Sequence, residues 1–312
     1  MLSSLLHSLN AVAVILFLTG VGYFCSALGW MTPDAKSFLT KYLMRFAVPV
    51  MSVYSMRTNL SMDLLRGSWS MLLIPTITQL LLYTGAGFLG KQLRLAPQRN
   101  SVFKLMCAVS NAMFIGYSMC LELFGESCVP YVMLYFLINT AFSQMIGISG
   151  IRRSSGQPAK SFGAEIAAFL RMPTVIGVLV GILLILVDWT PPAVLMSCAR
   201  YINNTVTPLA LLAVGNVIHS IGLKNLKLNL LTWIVMGFRF LLAPGICLLL
   251  CAVFRVTGLA RSVLTVMTAM PVLAQTVVAS SEYGGDEELA AQGVAISTLA
   301  CFIVIPVLML LL

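Results

Sequence analysis

Long apolar runs alternate with short polar links from one end of the chain to the other. A run of about 20 apolar residues is what an α-helix needs to cross the hydrocarbon of a bilayer. Ten such runs are read, at roughly 8–29, 35–56, 68–90, 102–121, 129–150, 168–187, 193–218, 228–254, 262–281 and 289–311. The links, among them WMTPD, KQLRLAPQRN, RRSSGQPAK, DWTPP and EYGGDEE, hold the Pro, Gly and charged residues that end helices. The longest link is Ile151 to Ser161, at mid-chain, and Lys160 to Arg171 is expected to begin as an interfacial amphipathic helix.

Composition turns these runs into a class. Of the 312 residues, 59% are hydrophobic and 9% charged, against about 25% charged in a soluble domain. The chain reads as an all-α, polytopic membrane protein with ten transmembrane helices. Its net charge of +9 bears on orientation in the lipid bilayer, and no nucleic-acid partner is expected. Met1 to Leu18 lacks the basic start and cleavage site of a signal peptide, so the first run is expected to be a retained span.

Alternating the links between two faces gives one face Lys36, Lys91, Arg94, Arg99, Lys104, Arg152, Arg153, Lys160, Arg171, Lys224 and Lys227. The other holds Arg57, Arg66, Arg200, Arg255 and Arg261, while Lys41, Arg45 and Arg239 fall within runs. Basic residues gather on the cytoplasmic side. Eleven against five therefore places both termini outside a cell membrane, inner or plasma, crossed many times.

The two halves of the chain resemble each other. Gly22 maps to Gly181, Trp30 to Trp189, Pro33 to Pro192, Tyr42 to Tyr201, Pro49 to Pro208 and Gly125 to Gly284, all at one offset of 159. The chain has only four Trp and thirteen Pro, so three such matches at one offset are hard to assign to chance. The expected organisation is a first repeat over residues 1–150, a central cytoplasmic loop over 151–161 and a second repeat over 162–312. Five spans per half is odd, so the second half enters from the opposite face as an inverted repeat.

Within this frame the ninth run, LTVMTAMPVLAQTVVA at 264–279, is broken. Pro271 removes a backbone N–H and disfavours helix at Met270, and Gln275 is a polar group one turn on. A break inside hydrocarbon persists only where protein or a cavity covers the freed backbone. The same offset carries Met270 to Asn111, Pro271 to Ala112 and Gln275 to Gly116, in LMCAVSNAMFIGYSMCLELFG of the fourth run. Ser110, Asn111, Gly116, Tyr117 and Ser118 interrupt it. Helices four and nine are thus expected to cross at their breaks, with half-helix N-termini whose N–H groups suit a carboxylate. Ser110, Asn111, Ala112, Gly116, Met270, Pro271 and Gln275 are the candidate substrate-binding residues.

Pro49 and Pro208 form a second matched pair, expected to act as structural hinges in spans two and seven. Arg45 and Asn204 stand near them as further substrate-binding candidates, although Arg45 lies close enough to the span end to snorkel instead. Arg239 is a deeper charge within a span, a functional hypothesis by default, with no partner visible in the sequence. Asn139 and Gln144 are polar residues of span five that suit helix–helix hydrogen bonds better than cargo.

Several signals are set aside. Gly85-Ala-Gly-Phe-Leu-Gly90 matches a dinucleotide string but ends a membrane run with no strand before it. No catalytic set or metal-ligand spacing stands out, so no enzyme activity, catalytic residue, metal or organic cofactor is expected. Acidic residues lie nearly all in links, which disfavours an antiporter built on paired buried carboxylates. Of the eight Cys, Cys120 and Cys128 alone flank a loop closely enough to suggest a disulfide.

The segments SNAMFIGYSMCLELFGES at 110–127, RMPTVIGVLVGILL at 171–184, NNTVTPLALLAVGNVI at 203–218 and AMPVLAQTVVASSEYGGDEELA at 269–290 resemble the auxin efflux carrier family in its bacterial branch. The likeness covers most of the chain. It implies the ten-helix fold of sodium/proton antiporters and bile-acid symporters. Helices one, two, six and seven would form a scaffold, and helices three to five and eight to ten a moving transport domain. Asn111 and Pro271 would stand at the crossing beside the cargo, Gly116 would loosen the first break, and Pro49 and Pro208 would shape the scaffold side. Many relatives carry Asn-Thr-Gly or a Pro where this chain has Asn111-Ala112-Met113, which leaves the first break less polar.

The function that follows is secondary active transport of a small organic anion, a carboxylate such as malate, malonate or an auxin-like acid. The mechanism would be alternating access of the elevator type. The coupling ion stays open between sodium and proton, and a homodimer is suggested by analogy with the family. The alternatives are a sodium-coupled symporter of the bile-acid type and a membrane ligand sensor without flux.

Overall fold

The computed structural model describes residues 2–62, 69–158, 161–222 and 226–312, with side chains from Ser8 onward. Asp63, Arg66, Lys160 and Lys224, an acidic link residue and three of the basic residues counted above, lie outside the described residues. Among the described residues the chain is all-helical, without a strand. In order these are α1 (Leu2–Ala27), α2 (Pro33–Tyr42), α3 (Val48–Asn59), α4 (Trp69–Gln92), α5 (Pro97–Ala108), α6 (Tyr117–Phe124), α7 (Val129–Phe142) and α8 (Ser149–Ser154). Then follow α9 (Phe162–Leu170), α10 (Pro173–Leu186), α11 (Ala193–Ile221), α12 (Leu230–Gly237), α13 (Ala243–Val253), α14 (Gly258–Thr268), α15 (Gln275–Tyr283) and α16 (Glu287–Met309).

Six stretches among the described residues are long and apolar enough to cross a membrane: Ser8–Ala27, Trp69–Gln92, Glu126–Ser154, Ala193–Ile221, Leu230–Val253 and Glu287–Met309. A seventh arises if α9 and α10, bent by 67° at Arg171 and Met172, count as one. The bend gives the expected interfacial helix its own direction: Ser161 caps α9 by accepting from the Ala164 N–H, and Pro173 opens α10. The other three runs fall short for physical reasons. The second passes from α2 through a π turn, Leu43–Ala47, into α3 and carries Lys36, Lys41 and Arg45. The fourth and ninth are interrupted, and α5 and α14 hold only 12 and 11 residues. At 1.5 Å per residue that is about 18 Å, roughly half of a bilayer core.

The interruptions divide the interior. Ala112–Met119 and Val263–Met270 pack into one apolar cluster with Met51, Met133 and Cys301. Val102–Val109 pack with Val272, Ala279, Leu289 and Val294 into another. The first cluster thus takes the later half of the fourth run and the earlier half of the ninth, and the second takes the remaining halves. Two helices that run in opposite directions and cross at their breaks give this division.

Elsewhere glycine lets backbones touch. A Cβ on Gly177 of α10 would sit 2.5 Å from the Pro49 carbonyl oxygen of α3, and one on Gly181 would sit 2.6 Å from Met56 Cβ. Gly22 of α1 meets the backbone of Leu212 on α11 at 2.6 Å in the same way. Pro208 lies inside an unbroken α11, whereas Pro49 follows the π turn and lies in the first turn of α3. Cys120 and Cys128 are both buried free thiols.

Candidate functional site

Pro271 and its neighbours end α14 at Thr268: Ala269 and Met270 turn, Val272 pairs as a β-bridge, and Ala274 turns into α15 at Gln275. In the other half α5 ends at Ala108, Val109 is extended, and a π turn, Ala112–Gly116, restarts the helix. The two extended pieces meet as an isolated antiparallel bridge between Ser110 and Val272. The Asn111 N–H donates to the Pro271 carbonyl at 2.8 Å.

Neighbouring helices hold each break open. The Asn139 side chain on α7 works as a strand edge for Ser110: its Nδ2 donates to the Ser110 carbonyl at 2.9 Å. Its Oδ1 accepts from the Ser110 N–H and hydroxyl, both at 3.2 Å, and from Gln79 Nε2 at 3.1 Å. Tyr135 Oη lies 2.9 Å from Ser110 Oγ. In the second half Ser297 Oγ on α16 accepts from the Val272 N–H at 2.9 Å. Buried backbone groups without partners cost free energy, and these side chains supply the partners that a helix no longer can.

Six of the predicted site residues come together here. Ser110, Asn111, Ala112, Gly116, Met270 and Pro271 are all buried at the crossing. Gly116 is there because of close approach: a Cβ would lie 3.0 Å from Met267 Sδ and 3.1 Å from Met270 Cγ. Asn111 Oδ1 is buried without a hydrogen-bond partner, an uncommon state for a core amide. Gln275 is exposed in the first turn of α15, and its Oε1 accepts from Gln144 Nε2 at 3.2 Å. Gln144 in turn lines a cavity of about 140 Å³ with Ser149, Arg152, Glu165, Phe169 and Met172.

Arg45 and Asn204 stand apart from this group. Arg45 is exposed on the π turn Leu43–Ala47, which packs on α10 and α11, and Asn204 is exposed on α11. The link from α11 to the crossing runs through Asn203, whose Oδ1 accepts from Tyr117 Oη at 3.3 Å. Sequence reasoning passed over Gln79, Tyr135 and Ser297. Gln79 carried a signal, a lone amide inside an apolar run, while Tyr135 and Ser297 carried none that distinguished them from ordinary helix residues.

Residues 7–309 match the model of the membrane transport protein family. The chain belongs to that family. The resemblance to auxin efflux carriers read from the sequence is thereby shown. An uncharacterized transporter of Methanocaldococcus jannaschii is 26% identical over 306 residues, covering 95% of this chain and 96% of that protein. Another from Methanothermobacter thermautotrophicus is 23% identical over 304 residues, with 96% of each chain covered. The membrane transport family member described here is accordingly a multi-pass transporter.

Proposed function

We propose that this chain is a secondary transporter of small organic anions, working by alternating access. The observation that carries the reading is the meeting of two broken helices at Asn111 and Pro271, with Asn111 buried and its Oδ1 unpartnered. First-turn N–H groups of a helix have no intrahelical acceptor and sit at its positive end. The Ala112, Thr276 and Val277 N–H groups are already held by the Ser110, Leu273 and Ala274 carbonyls, so the donors offered to a carboxylate are the N–H groups of Met113 to Ile115 and of Gln275, with Nδ2 of the Asn111 amide as one more. An auxin-like acid, malate and malonate all present the carboxylate this arrangement would hold.

The fold proposed with it is ten spans in two inverted repeats, and two observations support that. Among the described residues, the ion pairs between links join links that alternation puts on one face. Arg57 approaches Asp188 at 3.9 Å, Arg99 approaches Asp286 at 3.4 Å, and Lys227 approaches Glu288 at 3.8 Å. The close contacts also repeat at the sequence offset. Gly215 packs on Gly22, and their counterparts Met56 and Gly181, on α3 and α10, pack on each other. Helices α1–α3 and α9–α11 would then be the scaffold, and α4–α8 with α12–α16 the moving bundle of an elevator. Both termini would face outside the cell membrane.

The test is counterflow of labelled dicarboxylates into proteoliposomes holding the purified chain. Saturable exchange that unlabelled malate or malonate suppresses is the expected result. Binding without exchange would make the protein a sensor and sink the transport reading.

A further inference from the structure

Arg239 lies midway along the eighth apolar run, on the π turn Phe238–Leu242, and is only 1% exposed. Ion pairs among the described residues join Arg57 to Asp188, Arg99 to Asp286 and Lys227 to Glu288, so none of them gives Arg239 an acidic partner. Its guanidinium donates to backbone carbonyls instead. Nε reaches Met270 O at 3.0 Å, and Nη2 reaches Met270 O and Thr268 O, both at 2.6 Å. Nη1 reaches Cys107 O at 3.4 Å.

These carbonyls have one property in common. Cys107 is in the last turn of α5, Thr268 ends α14, and Met270 lies just past that end. The last carbonyls of a helix have no intrahelical donor, and each helix C-terminus carries roughly half a negative charge. Two such ends converge on one guanidinium, so about one unit of negative charge meets one positive charge. In broken-helix transporters, carbonyls at half-helix ends are the groups that hold a coupling sodium ion. A planar guanidinium with five donors can span two helix ends at once, which an ammonium cannot.

We propose that Arg239 is a built-in cation filling the position a coupling sodium ion would take, so that the helix breaks bind no alkali-metal ion and the anion moves without sodium. The second half of that statement rests on the transport reading, and the first does not. A buried charge costs several kcal/mol unless its hydrogen bonds are met, and here every bond named is to the crossing itself. The charge therefore travels with the breaks and stays beside the candidate anion site.

Thermal unfolding of the purified full-length chain in detergent tests the ion claim apart from transport. The wild-type midpoint should be the same in sodium, potassium and choline chloride at equal ionic strength. Arg239→Ala should lower it by several degrees, with partial recovery on adding sodium or low-millimolar guanidinium. Arg239→Lys should stay indifferent to the cation while losing some stability. A saturable rise of the wild-type midpoint with sodium overturns the proposal, and that arm needs no variant to fold. So does a folded Arg239→Ala chain as stable as the wild type and indifferent to both ions. Counterflow of a dicarboxylate should run equally in sodium and choline, and dependence on sodium would overturn the second claim. Absence of any counterflow would instead count against the substrate reading and leave the ion result standing.

Discussion

The amide N–H of Asn111 and the carbonyl of Pro271, 160 positions apart in the chain, are joined by a hydrogen bond of 2.8 Å. The bond uses backbone on both sides, so the Asn111 side chain is not needed to make it. That side chain is left with a buried, unpartnered oxygen. Asn111→Leu should therefore keep the crossing and remove only the amide. A hydrogen bond to a charged group is worth about 1.5–3 kcal/mol, so carboxylate affinity should fall by about 10- to 100-fold. Competition binding and counterflow on protein with a wild-type elution profile would check this, and unchanged affinity would remove Asn111 from the site.

Asn139 should behave in the opposite way, as a residue of stability. Its amide meets the N–H, the carbonyl and the hydroxyl of Ser110 as well as Gln79. Asn139→Leu leaves the buried Ser110 N–H without a partner, at about 1–3 kcal/mol, and leaves the Ser110 carbonyl with only the Ala112 N–H, at 2.9 Å. Gln79→Leu removes only one of these bonds and should cost less. The order of midpoints expected in a thermal scan is wild type, then Gln79→Leu, then Asn139→Leu. A reversal would mean that Ser110 is held by something other than Asn139.

Much of this arrangement was legible in the sequence, for reasons that differ by residue. Pro271 forbids a helical hydrogen bond wherever it sits, so its break could be placed before any contact was known. The offset of 159 then carried that break to Asn111. What holds the breaks could not be read, because Ser110 with Asn139 and Val272 with Ser297 are tertiary pairs from different helices. Arg239 stood out as a charge in an apolar run, yet its partners are carbonyls, and every residue has one. Arg45 and Asn204 stand near Pro49 and Pro208 in the sequence, and both are exposed away from the crossing.

Two glycines should differ in what they tolerate. At Gly116 the nearest atoms to an added Cβ are Met267 Sδ at 3.0 Å and Met270 Cγ at 3.1 Å. Thioether chains can turn aside, so Gly116→Ala should be mild. At Gly177 the added carbon would meet the Pro49 backbone, with its oxygen at 2.5 Å and Cα at 2.8 Å. Backbone of a packed helix cannot turn aside, and overpacking of this kind costs about 1–3 kcal/mol. Gly177→Ala should lower the thermal midpoint clearly more than Gly116→Ala. Equal midpoints would show that α3 and α10 can part without loss.

Ser149 on α8 and Glu165 on α9 are directly hydrogen-bonded, Ser149 Oγ donating to the Glu165 carboxylate. If α8 moves with the bundle and α9 stays with the scaffold, this contact must open in every cycle. A covalent bridge at these positions should then stop transport without unfolding the protein. Cys198 is exposed and Cys25 half-buried, while the other six cysteines are buried, so replacing these two gives a quiet background. In it, Ser149→Cys with Glu165→Cys, joined by a short bis-methanethiosulfonate reagent that forms a disulfide with each thiol and releases methanesulfinate, should abolish counterflow, and a reductant should restore it. Either single variant treated alike should exchange normally. Undiminished exchange by the bridged protein would mean that α8 and α9 travel together, and the dividing line between scaffold and moving bundle would have to be drawn elsewhere.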